Sequence, residues 1–323
     1  MTVLVTGASG FVGAHILEAL VAAGHERIVA TDVAPAPGDL ADPRIDRLQL
    51  DVCNGEAVRA VMQAWRPALV VHAAAITPNP DEEIRDAARI MAVNTGGSAN
   101  VVAAALATGS TTRIILFSSS GVYNGQVVYP DRLRETDPLP AAPSSLYAVT
   151  KLACEGLAHR VAASGQMSVC AVRVAAVYGE HERATESRKA ARTSLIHRLA
   201  LATAHGGAPV RLSGPNVRRD WVHGRDAGCA VAALLAAPRL NDVIYNIASG
   251  DAVGLHDLAA MFRAEGLVTS DETGAIDLGL RPQDDRPPID ISRIVRDAGF
   301  QPSVPLADGV RALIAFHRKN GPS

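Results

Sequence analysis

The sequence predicts an α/β fold, a doubly wound parallel sheet with a smaller C-terminal region, and three observations carry that expectation. Short β-branched, apolar runs recur along the first half of the chain, at 2–6, 27–32, 47–51 and 68–75. Stretches with apolar residues at helical spacing separate them. The runs are nearly continuous rather than alternating, as in strands covered on both faces, so parallel βαβ units are expected instead of hairpins.

Taken in order, TVLVT (2–6) is a strand followed by glycines and by the helix-patterned FVGAHILEALVAAGH. RIVATD (27–32), RLQLD (47–51) and ALVVHAAA (68–75) read as the second, third and fourth strands. RIILFSSS (113–120) and VCAVRVAAVYG (169–179) continue the series, and between them SLYAVTKLACEGLAHRVAAS reads as a long helix after the proline-rich loop PLPAAPS. Past residue 179 the alternation weakens. GEHERATESRKAARTS is polar, LIHRLALATA is helical and PVRLSG is a short strand. DAGCAVAALLAA and VIYNIA are expected to return the chain to the main sheet. LHDLAAMF, the RPQDDRPP turn and a final LADGVRALIAFHR helix complete a smaller, lid-like region.

At 323 residues the chain is long enough for one large domain with an appendage, and 48% hydrophobic with 20% charged residues argues against disorder. The net charge of −2, with scattered basic residues, offers no nucleic-acid or membrane surface. RATESRKAAR, the one basic cluster, reads as a solvated loop. Cys53, Cys154, Cys170 and Cys229 lack CxxC or Cys/His spacing, so they are expected to be reduced and mostly buried, and no metal site is expected. The N-terminus has no basic leader region, and no run of 18 uncharged apolar residues occurs, so a cytoplasmic location is expected.

Function enters at TGASGFVG (6–13). Gly7, Gly10 and Gly13 stand between a strand and a helix, where glycine lets the backbone approach a pyrophosphate and the helix N-terminus supplies unpaired N–H groups. A plain tight turn would need the glycines too, but Asp32 ends the second strand 19 residues after Gly13, where a carboxylate can take both ribose hydroxyls of a dinucleotide. That carboxylate repels a 2′-phosphate and no arginine follows in DVAPAP, so NAD is favoured over NADP. Residues 1–179, with 225–248 returning, are therefore expected to form a Rossmann domain binding NAD. Residues 180–224 and 249–323 should mainly bind substrate.

Tyr147 and Lys151 stand four apart at the start of a helical stretch, hence on one face, which is a surface accident or an acid–base pair. TGASGFVG, DV at 51–52, HAAA at 72–75, VN at 93–94, SSSGVY at 118–123 and YAVTK at 147–151 together resemble the extended short-chain dehydrogenase/reductase family. The likeness is closest to its NAD-dependent epimerase/dehydratase branch, which acts on nucleotide sugars, and RRDWVH, YNIASG and RPQD extend it over nearly the whole chain.

The resemblance implies that Tyr147 is the general acid/base and that Lys151 assists it while holding the nicotinamide ribose. A phenol, with a pKa near ~10, becomes a base at neutral pH only where cations stabilise the phenolate, which independently suits an ammonium beside an oxidised nicotinamide. It also implies that Ser119 holds the substrate oxygen, with Ser118 and Ser120 as rivals by one residue; a hydroxyl-rich strand end that only caps a loop is the plainer alternative. Phe11, Val12, Asp51, Val52, Ala73, Ala74, Ala75, Asn94 and Val174 fall where the family contacts its cofactor. The alanines are also ordinary core, and an asparagine such as Asn94 also serves as a backbone partner. Arg219 and Arg281 resemble diphosphate-binding arginines, or form ion pairs with Asp220, Asp284 or Asp285. Thr77 is a substrate candidate or a simple loop residue.

Departures from the branch bear on the substrate. Ala176 stands where an asparagine is common before VYG, GEH replaces GP after Tyr178, and ERATESRKAARTS is an unusual insert. The expectation is an oxidoreductase/epimerase that oxidises a secondary hydroxyl of a sugar, most readily a nucleotide sugar. A simple NAD-dependent dehydrogenase of a polyol, sugar acid or hydroxy acid is the alternative, ahead of a non-catalytic NAD sensor. Helices near 81–108 and 147–164 resemble those of family four-helix interfaces, so a homodimer is expected.

Overall fold

A computed structural model describes residues 1–34, 41–126, 129–182, 193–206, 209–214, 216–270, 276–281 and 284–321. Most of the insert at 182–194 thus lies outside the described residues. Seven parallel strands form the main sheet: β1 (Thr2–Thr6), β2 (Arg27–Asp32), β3 (Ile45–Gln49), β4 (Leu69–His72), β5 (Arg113–Phe117), β6 (Ser168–Val174) and, after three short strands, β10 (Ile244–Ile247). Their order is β10-β6-β5-β4-β1-β2-β3. The order reverses between β1 and β4, and that switch opens a crevice at the strands' C-terminal ends.

Strand side chains alternate between two faces, and so does the core. Val3, Val5, Ile28, Val71, Ile115 and Val172 pack on one face, while Leu4, Val29, Val70, Ile114, Leu116 and Ala171 pack on the other. The first face is covered by α1 (Phe11–Ala22) and, much later in the chain, α8 (Gly224–Ala236). The second is covered by α2 (Gly55–Trp65), α5 (Gly97–Thr108) and α6 (Leu146–Ser164).

Before α5, α3 (Pro80–Arg85) opens with an Asn79/Glu82 capping box, and α4 (Ala87–Met91) runs through a π-turn at Ala92–Gly96. The run Ala87–Thr108 is 22 residues long and apolar enough in composition to cross a membrane, and 44% of its most apolar stretch is buried within the protein. Asn94, Ser98 and Asn100 interrupt it and bond to Ile76, His72 and the Val52 carbonyl, as befits a core helix of this sheet.

Several expected strands are shorter than their apolar runs. Residues 73–75 and 118–120 leave the sheet, because the crevice begins where the ladder ends. The expected strand over 169–179 breaks at Ala175, whose amide donates to Ile247 O at 2.8 Å. Beyond it β7 (Ala176–Tyr178) pairs with β9 (Arg218–His223) in a second sheet, completed by β11 (Ala252–Gly254). PVRLSG contributes only β8 (Val210–Arg211), which pairs with β12 (Ile276–Asp277). Around these, α7 (Leu195–His205), α9 (Leu255–Ala264) and α11 (Leu306–Asn320) bury their own core of Ile196, Leu199, Trp221, Phe262 and Leu313, and α10 (Ser292–Ala298) packs back on α8. The cysteine expectation needs correcting: Cys154 and Cys170 are buried, but Cys53 and Cys229 are exposed.

Candidate active site

Three groups of residues meet at the C-terminal edge of the main sheet. The first is the glycine loop. Gly7 has φ +69°, and a Cβ there would lie 2.6 Å from Ala74 N, so the loop presses directly on the chain leaving β4. A Cβ on Gly13 would lie 2.2 Å from Gly7 O, which explains the third glycine. Gly10 is the N-cap of α1 and offers no side-chain oxygen to the helix amides. Across the loop, Asp32 accepts Ser9 N at 3.0 Å on one oxygen and Val33 N at 2.8 Å on the other, which leaves lone pairs on both for hydroxyl donors. A cradle that only glycine can line, with a carboxylate at its far edge, fits an adenine dinucleotide.

The neighbouring candidates divide. Ala73 and Ala74 flank the glycine loop, Ala75 and Thr77 are exposed, and Phe11 and Val12 start α1. Asp51 is exposed and accepts Cys53 N at 2.9 Å. Val52 and Val174 bury their side chains in the core. Asn94 is buried. Its amide accepts Ile76 N at 2.7 Å and donates to Ile76 O at 2.9 Å and Thr150 Oγ1 at 3.1 Å, so it ties the loop after β4 to α6 across a long sequence separation.

The second group is the hydroxyl–phenol–amine cluster. Ser145 caps α6 by accepting Ala148 N at 3.1 Å, and Glu83 Oε1 accepts Tyr147 N at 2.9 Å, so Tyr147 sits on a fastened first turn. One turn on, Lys151 is 3% exposed and donates from Nζ to Phe117 O at 2.7 Å, at the end of β5. Its Nζ lies 5.3 Å from the Tyr147 ring centroid. Among the described residues it forms no ion pair. Ser119 Oγ accepts Gly121 N at 3.0 Å, and a Cβ on Gly121 would touch both Ser119 Oγ (3.3 Å) and Tyr147 Cδ1 (3.9 Å). Glycine at 121 thus keeps Ser119 and Tyr147 on either side of one small gap. The rival serines are committed elsewhere: Ser118 donates to Glu155 at 2.6 Å, and Ser120 is buried against Arg286.

Behind this cluster His72 accepts from Thr6 Oγ1 at 2.7 Å and meets Ser98 Oγ at 3.0 Å, while Ser98 Oγ donates to Asn94 O at 2.6 Å. Because Ser98 donates onward, His72 Nε2 carries the ring proton. Burial, aided by the Lys151 charge, pushes the His72 pKa down to about 3. The unfolded chain therefore takes up this proton first as pH falls, and stability is lost below the ordinary value of 6.5 until about 3. Denaturant titrations of the protein and of His72→Gln should differ in slope by ~1.4 kcal/mol per pH unit between pH 6 and 5. Parallel pH dependences in the two proteins would contradict this.

The third group is basic. Arg219 lies 3.9 Å from Asp284, and Arg281 reaches the same carboxylate at 3.3 Å with its side chain 67% exposed. Asp220 pairs with neither. It accepts from Ser249 N and Oγ, Gly250 N and Ile289 N, and burial pushes its pKa up to about 6. Arg286, five residues after Arg281, is 6% exposed and was not singled out by the sequence. On the far side of α1, His15 and His181 both hydrogen-bond Glu18, at 3.2 and 2.8 Å, and hold its carboxyl well below the usual range. These three ligand-type atoms lie within 4.8 Å of one another and brace α1 to the segment after β7.

Comparison with known proteins identifies relatives along nearly the whole chain. The model of the NAD dependent epimerase/dehydratase family matches residues 3–248. A dTDP-glucose 4,6-dehydratase of Actinoplanes sp. is 28% identical over 99% of this chain and 98% of its own length. The dTDP-L-rhamnose 4-epimerase of Burkholderia thailandensis is 27% identical over 96% and 93%. Among solved structures, MoeE5 in complex with UDP-glucuronic acid and NAD is 26% identical, with a TM-score of 0.82 over 99% of this chain and 100% of that one.

Proposed function

We propose, on the premise that this chain belongs to the NAD-dependent epimerase/dehydratase family, that it oxidises a secondary hydroxyl of a nucleotide-linked sugar at Ser119, Tyr147 and Lys151. As a member of that family it is an NAD-dependent enzyme of epimerase or dehydratase type. NAD, held by the Gly7–Gly13 loop and Asp32, supplies when bound the acceptor for the hydride that leaves the carbinol carbon.

Tyr147 Oη takes the hydroxyl proton, and the Ser119 hydroxyl, with its oxygen already accepting Gly121 N, donates to the same substrate oxygen. Lys151 stabilises the phenolate. The observation carrying this reading is its ammonium, buried beside the Tyr147 ring with only the Phe117 carbonyl for a partner among the described residues. A desolvated cation without a counter-charge costs several kcal/mol, a cost that a phenolate next to it offsets. Asn94 acts through the loop it ties to α6. Arg219 and Arg281 take the diphosphate, in keeping with the nucleotide sugars named for the relatives.

Simple dehydrogenation of a polyol or sugar acid is the second reading, favoured by the exposure of Arg281 and its pairing with Asp284. A panel of UDP- and dTDP-sugars, free polyols and sugar acids, scored for both product isomerisation and net NADH, tests the two. Conversion of a nucleotide sugar without accumulating NADH is expected; NADH formation from free polyols alone would reject the first reading. The homodimer belongs to the same reading: Ile84, Met91 and Val149 are exposed on α3, α4 and α6, and light scattering at twice the chain mass is expected.

A further inference from the structure

Around the turn that carries Arg281, and counting Arg218 and Arg219 on β9, the arginines outnumber the carboxylates that pair with them among the described residues. Arg219 and Arg281 share Asp284. Asp285 is taken by Arg218, through its backbone N at 2.7 Å and its guanidinium at 3.2 Å. Asp220 is filled by amides and a hydroxyl. That leaves Arg286, buried, with no carboxylate in ion-pair range among the described residues. Among the described residues its Nε has no acceptor and its Nη1 reaches only Ser120 Oγ at 3.4 Å and Ser120 O at 3.5 Å, beyond good hydrogen-bond length. Burial, with the Arg219 charge, pulls its pKa down to about 9.

The location narrows what would complete it. Ser120 follows Ser119 directly and opens the turn that carries Gly121 against Tyr147. An anion on Arg286 would therefore lie against the turn that follows Ser119, beside the hydroxyl cluster. A guanidinium offers a planar fork of donors that matches a carboxylate bidentately. From this juxtaposition, and resting on the reading that Ser119, Tyr147 and Lys151 act on a sugar hydroxyl, we infer that Arg286 anchors a carboxylate of the substrate. The substrate class is then an acidic sugar: a nucleotide-linked uronic acid or a free sugar acid.

The test is calorimetric titration of the NAD-loaded protein with UDP-glucuronate, UDP-glucose, UDP, D-glucuronate and D-gluconate, for the wild type, Arg286→Met and Arg286→Lys. Carboxylate and neutral sugars carry the same diphosphate in the first two ligands, so their ratio isolates the acid. A preference for UDP-glucuronate of tenfold or more is expected, or free-acid binding that UDP does not improve if the acid is not nucleotide-linked. The preference should fall to about one in Arg286→Met and recover in part in Arg286→Lys. Equal affinity for acidic and neutral sugars in the wild type, which needs no variant to fold, overturns the inference. So does a preference that survives Arg286→Met, or an equal loss for both UDP-sugars, which would make Arg286 a third diphosphate ligand. Neutral sugars bound and converted with no acid preference would sink this inference alone. Absence of any Tyr147-dependent conversion would instead sink the reading on which it rests.

Discussion

Tyr147→Phe is expected to lower kcat by ~10²–10⁴-fold while leaving NAD affinity and thermal stability near those of the parent. The variant deletes one oxygen, and among the described residues that hydroxyl makes no hydrogen bond, so the fold loses nothing it uses. The helix turn that carries the ring is held by its backbone, through Glu83 and the Ser145 cap, which the substitution leaves in place. Lys151→Met makes the complementary case. It removes a buried cation, so the fold should tolerate it, but the phenolate loses its stabilisation and kcat should fall as well. A structural role for Tyr147 predicts the reverse pattern, with lost stability and retained turnover. Steady-state kinetics on a converted nucleotide sugar, alongside NAD titration and a melting curve, separates the two. Turnover within threefold of the parent would end the general-base assignment.

The parts of this molecule that were legible in its sequence are those whose signal is local. A glycine loop between a strand and a helix, an acid at the next strand's end, and a tyrosine and lysine one turn apart each announce themselves within a few residues. The existence of the seven main-sheet strands was equally local, but their ends were not, and β9, β11 and β12 were not foreseen. The ladder stops at His72 and Phe117 because the crevice opens there, and apolar composition continues past both points. The switch of sheet at Ala175 depends on Ile247 and Trp221, far along the chain.

Polar residues whose partners are distant were missed for the same reason. His72 entered only as a strand residue and as part of HAAA, yet it bridges Thr6 and Ser98. Arg286 is unusual only because the carboxylates around it are taken by other groups, which no window of sequence reveals. The resemblance put Ser119 ahead of Ser118 and Ser120, and what sets the three apart in the structure is tertiary: Ser118 is bound to Glu155 and Ser120 lies against Arg286.

That Glu155 carboxylate is the centre of the second large effect. Arg173 on β6 donates to both its oxygens at 2.8 Å, Ser118 donates to it at 2.6 Å, and both charged side chains are nearly inaccessible, at 4% and 7%. The same guanidinium donates to Tyr123 Oη at 2.9 Å, which donates to Asn246 at 2.9 Å, so the network spans β6, α6, the serine turn and β10. Burial alone would disfavour the Arg173 charge, but Glu155 and Tyr123 more than compensate and hold its pKa above the ordinary value. Glu155→Ala should therefore destabilise the protein by ~3–5 kcal/mol, because it strands a buried cation as well as deleting a bond. The melting point should drop by about 10 °C. Removing both charges, as Glu155→Leu with Arg173→Met, should recover most of that loss, since apolar replacement of a whole buried pair is often neutral. Ser118 loses its acceptor in either variant, and the serine turn it anchors carries Ser119. The double variant should thus regain stability without regaining full kcat. Equal stability of Glu155→Ala and the parent in denaturant titration would show that the pair contributes nothing, and full activity in the double variant would show that Ser119 is positioned by other means.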